Sequence, residues 1–115
     1  MLLFIGNSES EILQERSKMK RVGILGGMGP EATILLMQKI INGIKAEDDS
    51  NHIPMIVHQN TQVPSRIERI IEGNGADPAP VLKKMAKDLQ DMNCDFLAMP
   101  CNTAHYYYSD ICESV

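Results

Sequence analysis

A chain of 115 residues, 43% hydrophobic and 23% charged, suits one core-forming domain near the usual size of roughly 100–150 residues and leaves no room for two complete ones. Its formal net charge of −4 comes without a Lys/Arg run, so the attraction that begins nucleic-acid binding is missing and no nucleic-acid partner is expected. Three cysteines, Cys94, Cys101 and Cys112, form neither a repeated CxxC pair nor a dense disulfide pattern, which implies free thiols in a reducing, cytoplasmic setting.

In chain order, the apolar run Met1–Ile5 is far too short to span a bilayer and has no basic flank or cleavage site, so no membrane partner is expected. Residues 1–18 read as an N-terminal extension, frayed or helical. A sequence of different character opens at Met19, which makes residues 19–115 the domain. Arg21–Gly26 is a short β-branched and apolar run closed by glycines, hence a buried strand and then a tight turn through Gly27, Met28 and Gly29. Pro30 suits the first turn of a helix, whose apolar face is predicted from Ile34, Met37, Ile41 and Ile44. Asp48–Asn51 breaks that helix. Ile53–Gln59 reads as a second strand with a polar end, His58 to Thr61.

Pro64 begins a predicted short helix through Glu72, packed by Ile67, Ile70 and Ile71, which the Gly/Pro loop 73–80 ends. A third helix follows from the 3.6-residue period of Val81, Leu82, Met85, Ala86, Leu89 and Met92, and Phe96–Met99 is a third buried strand. After Pro100, Cys101, Asn102 and Thr103, a last helix is expected over His105–Cys112. The chain stops where a further strand is expected. Strands alternating with helices predict an α/β fold: a parallel, flavodoxin-like sheet flanked by helices, with function gathered at the carboxyl ends of the strands.

Three polar or glycine-rich segments fall at those ends, 26–30, 59–66 and 101–105. Cys101 follows a buried strand and precedes a helix, where unpaired N–H groups and the helix dipole favour a thiolate. A free cysteine is also a good small core residue, but Asn102 and Thr103 beside Cys101 add donors suited to a carboxylate. Cys94 and Cys112 have no such company and read as packing or surface residues. Arg66 presents a planar fork that matches a carboxylate, or is a solvated surface arginine. Asn60 and Thr61 either bond the same ligand or cap the turn. His105 is an acid–base candidate or a structural histidine, and Tyr106–Tyr108 reads as a helix straddling core and surface. Gly27–Ala32 fits the loose G-x-G-x-x-A pattern, but Glu31 would repel a pyrophosphate and no acidic residue closes the second strand, so a nucleotide-binding module is the weaker reading.

Together, Val22–Thr33, Pro64–Ser65–Arg66 and Pro100–Cys101–Asn102–Thr103–Ala104–His105 resemble the aspartate/glutamate racemase family, in its aspartate racemase branch. The resemblance runs from about Met19 to the C-terminus. It implies one domain of a two-domain racemase that needs no cofactor, with the substrate between domains and one catalytic cysteine from each. Cys101 matches the first of these cysteines and Arg66 the carboxylate-binding arginine. Asn102 and Thr103 match carboxylate-holding neighbours, and Asn60 and Met28 pocket-lining positions. No second cysteine block follows within the 115 residues, so the C-terminal domain is expected to be absent. The expected activity is racemisation of aspartate or glutamate, weak in this chain alone. The alternative is a non-catalytic unit that binds a small dicarboxylate or pairs with a separate second half. Self-association, as a homodimer for example, is expected through the surface left exposed.

Overall fold

The computed structural model describes residues 19–115, together with the strand Leu2–Phe4. In chain order the described elements are β1 (Leu2–Phe4), β2 (Val22–Gly26), α1 (Pro30–Asn42), a 3-10 turn (Asp49–Asn51), β3 (Met55–Gln59), a π-helical turn (Glu68–Glu72), α2 (Ala79–Asp91), β4 (Phe96–Ala98), a second 3-10 turn (Thr103–Tyr107) and α3 (Tyr108–Ser114). The sheet order is β1-β4-β2-β3. β2 lies between β3 and β4 and is parallel to both, with Gly26 opposite Gln59 and Ile24 opposite Ala98.

The three parallel strands therefore stand third–first–second, the order with which a flavodoxin-like sheet begins. Because β3 and β4 flank β2 on opposite sides, right-handed crossovers send the two connections over opposite faces. The side chains divide accordingly. Val22, Ile24 and Ala98 point to the face where Leu36, Met37 and Ile40 of α1 pack. Leu25, Leu97 and Met99 join Leu82, Met85, Ala86 and Leu89 of α2 and Ile111 of α3 on the other. Leu25, Leu82 and Leu97 are fully buried, each contributing about 1.5–3 kcal/mol relative to exposure.

The strand at Leu2–Phe4 departs from the expectation of a frayed or helical extension. It pairs antiparallel with β4, Leu2 opposite Ala98 and Phe4 opposite Phe96, so the sheet is not wholly parallel. The rest of the expected extension, Met1 and residues 5–18, lies outside the described residues.

The face of α1 also differs. Ile34 and Ile41 are 62% and 40% exposed, and the row turned to the sheet is Thr33, Leu36, Met37 and Ile40. That row has helical spacing too, so α1 carries two competing stripes. The Thr33 stripe wins with a hydrogen bond that an apolar count does not see: the Thr33 hydroxyl accepts the Gly27 N–H at 2.9 Å in a buried setting, where an unpaired amide costs about 1–3 kcal/mol. Between Arg66 and Glu72 the expected α-helix is mostly a π-helical turn. Its wider i→i+5 geometry displaces the 3.6-residue face, so only Ile70 packs on the core while Ile67 and Ile71 stand exposed. On α2 the expected positions Leu82, Met85, Ala86 and Leu89 are buried and Val81 is partly buried, although Met92, just past the helix, is exposed.

Candidate functional site

Parallel pairing brings the loops after β2, β3 and β4 to one edge of the sheet. The first two are in contact. Gly27 takes φ +99°, and a Cβ there would lie 2.3 Å from the Asn60 carbonyl oxygen, so the turn after β2 is built around the backbone that leaves β3. The Asn60 N–H donates to the Gly26 carbonyl at 3.0 Å, extending the ladder by one rung.

The Asn60 side chain is employed locally. Its Oδ1 accepts the Gln62 N–H at 2.9 Å, and its Nδ2 faces the Met85 sulfur at 3.6 Å. Thr61 is exposed, with its hydroxyl accepting from Gln62 Nε2 at 3.1 Å. Asn60 thus performs the turn-capping expected as one of its two readings, whereas the Thr61 hydroxyl bonds a neighbouring side chain. Met28 is 6% exposed and belongs to the main core, so its side chain supports the edge from beneath.

Arg66 is half-buried. Its Nη1 donates to the carbonyls of Val63 at 3.3 Å and Pro64 at 3.2 Å, while its buried Nε has no partner. The guanidinium is therefore folded onto its own loop rather than spread in solvent. One donor of the fork that matches a carboxylate is left unsatisfied.

Cys101 is the third residue after β4. It is half-buried against the main core, and its Sγ lies 3.4 Å from the Thr103 hydroxyl. Asn102 and Thr103 are exposed. The α-helix expected close behind Cys101 is a 3-10 turn instead, held by i→i+3 bonds such as His105 N–H to the Asn102 carbonyl at 3.2 Å. True α-helix begins only at Tyr108. Tyr107 is buried while Tyr106 and Tyr108 are exposed, the straddling arrangement read from the sequence.

The other cysteines behave differently. Cys94 is 5% exposed, and burial pushes its thiol above the usual range, with Arg21 pulling the other way. Cys112 is exposed on α3. All three thiols are free. Among the described residues no helix is long and apolar enough to cross a membrane, and no group of three or more His, Cys, Asp or Glu side chains is placed to hold a metal ion. Sequence reasoning missed Thr33, although a hydroxyl residue in the first turn after a glycine loop is the signal that could have found it. It left His105 undecided; the structure puts its Nε2 at 2.9 Å from the Met99 carbonyl.

A family model described as Asp/Glu/Hydantoin racemase matches residues 25–115. The chain is 32% identical over 98 residues to the broad specificity amino-acid racemase RacX of Bacillus subtilis (strain 168), a match covering 82% of this chain and 42% of RacX. It is also similar to Picrophilus torridus aspartate racemase, with a TM-score of 0.73 and 34% identity over 79% of this chain and 39% of that one. The chain thus spans about two fifths of the length of these two relatives.

Proposed function

The chain belongs to the Asp/Glu/hydantoin racemase family, and on that premise we propose that it supplies one cysteine half-site for cofactor-independent racemisation of an acidic amino acid such as aspartate or glutamate, in the cytoplasm. The observation that carries this reading is Cys101, a free, half-buried thiol at the carboxyl edge of the parallel sheet, next to the Thr103 hydroxyl and the exposed Asn102.

Inversion at an α-carbon needs a base on one face and an acid on the other. The Cys101 thiolate takes the α-proton, and the electron pair stays on the substrate, delocalised into its carboxylate. A thiol on the opposite face returns a proton and becomes the thiolate. Arg66, Asn102 and Thr103 hold the carboxylates and offset the developing charge. The opposite-face thiol comes from outside this chain's own cysteine block. A half-site alone exchanges the α-proton of one enantiomer without inverting it.

The test is proton NMR of L- and D-aspartate with the chain in heavy water, alongside polarimetry. We expect slow loss of the α-proton signal for one enantiomer, inversion far below roughly 1 per second, and no exchange with Cys101→Ala. Exchange that persists in Cys101→Ala, or rapid inversion by the chain alone, defeats the reading. A second reading is a dicarboxylate-binding unit, since Arg66 and the Asn102–Thr103 pair suit a carboxylate whether or not proton transfer follows. Binding with no exchange of either enantiomer selects it.

Self-association belongs to the same proposal. Ile34, Leu35 and Ile41 stand exposed on α1, beside an apolar cleft of about 430 Å³ lined by Leu36, Ile40 and Phe96. Sedimentation equilibrium is expected to show a dimer that Ile34→Lys with Leu35→Lys weakens. A clean monomer at high concentration overturns it.

A further inference from the structure

We propose that His105 is a positioning residue that fixes the turn presenting the Cys101 sulfur. The Met99 carbonyl is the pivot. It accepts the Cys101 N–H at 2.9 Å, closing a tight turn across Pro100, and it lies 2.9 Å from His105 Nε2. A carbonyl only accepts, so Nε2 carries the hydrogen and the imidazole is held with that nitrogen protonated. One oxygen with two lone pairs thus joins the strand end, the cysteine backbone and the imidazole.

The backbone makes this placement possible. The 3-10 turn begins at Thr103, directly after Asn102, and buries Ala104. The imidazole one residue later reaches back to Met99, the buried residue that directly follows β4. Without it, the Met99–Cys101 turn keeps a single short-range bond, and the sulfur, half-buried against the core beside Thr103, is free to swing out. The inference rests on Cys101 being the group that acts in the proposed reaction, because only then does its placement have a catalytic consequence.

The experiment is iodoacetamide labelling of the whole chain, read residue by residue by mass spectrometry, with nitrogen-15 NMR of the histidines. Losing the bond is expected to speed Cys101 alkylation in His105→Ala about fivefold, the equivalent of about 1 kcal/mol for one net hydrogen bond. His105→Gln is expected to retain the slow rate, since its amide nitrogen reaches the Nε2 position. His105→Asn, one bond shorter, is expected to behave like alanine. Cys94 is the internal control, because general loosening of the fold accelerates its labelling as well. The NMR is expected to show the Nε2-protonated form. A wild-type rate in His105→Ala, an equally fast His105→Gln, parallel acceleration at Cys94, or a hydrogen on Nδ1 alone overturns the inference. These outcomes are separate from heavy-water exchange, whose failure removes the catalytic reading of Cys101 while leaving the His105 geometry to be judged on labelling and tautomer.

Discussion

Gly27→Ala is expected to destabilise the domain by about 3–5 kcal/mol, from a positive-φ backbone costing roughly 1–3 kcal/mol and an overpacking clash costing a similar amount. The added Cβ lies 2.3 Å from the Asn60 carbonyl oxygen and 2.7 Å from its nitrogen. Those are backbone atoms, so no flexible side chain can move aside. The two strands whose ends collide, β2 and β3, are paired to that end, Gly26 opposite Gln59, and relief requires separating them. Against a total stability of about 5–15 kcal/mol, that loss removes roughly a third or more of the margin of a typical domain and most of it at the low end. Gly73 is the control. It also has positive φ, +74°, but a Cβ there meets nothing within 4 Å, so Gly73→Ala is expected to lose only about 1–2 kcal/mol. Urea denaturation of the three proteins measures both. Equal midpoints for the two variants would show that the contact with Asn60 carries no weight.

Arg66→Ala is expected to raise the concentration of aspartate that half-protects Cys101 from iodoacetamide by about a hundredfold, the loss of a charge-assisted pair worth about 3 kcal/mol. Among the described residues the guanidinium bonds carbonyls of its own loop and keeps one buried donor unpaired, a cost a bound carboxylate would remove. The other thiols make the reading specific. Cys94 is buried, its thiol raised by that burial, and is expected to label last. Cys112 is exposed and is expected to label at the same rate with or without aspartate. Absence of protection at millimolar excess in the unaltered chain, or equal protection of Cys112, sinks the carboxylate assignment. Because the Arg66 guanidinium bonds the Val63 and Pro64 carbonyls of its own loop, its loss is expected to leave the denaturation midpoint nearly unchanged.

The alternation of strands and helices was legible because it depends on composition over many residues, and α2 shows this well. Its apolar positions repeat at one period and leave one choice of face, which Leu82, Met85 and Leu89 fill at 1% exposure or less. α1 was misread for the opposite reason. It offers two apolar rows, and the selection between them is made by the Thr33 hydroxyl and the Gly27 amide, a contact between a side chain and a loop six residues away. The π-helical turn was invisible because a periodicity search assumes the helix type it is looking for. At the site, the sequence placed Cys101, Arg66 and Asn60 on one edge of the sheet through topology alone. It did not reveal that Asn60 is occupied in a turn, that Arg66 is folded onto its loop, or that His105 reaches Met99. Those facts depend on rotamers and on a 3-10 geometry where a helix was expected.

The antiparallel β1 has a consequence for how this sheet can grow. In the third–first–second order of its parallel strands, a further parallel strand would add beside β4, yet that edge is already engaged by Leu2–Phe4. Extension there is a contest for the same amides and carbonyls, not addition to a vacant site. A ladder of three residues is a weak incumbent, with each net hydrogen bond worth about 0.5–1.5 kcal/mol. A longer strand with its own helix to bury would displace it. β1 thus shields the β4 edge from chance pairing, with a ladder of only three residues.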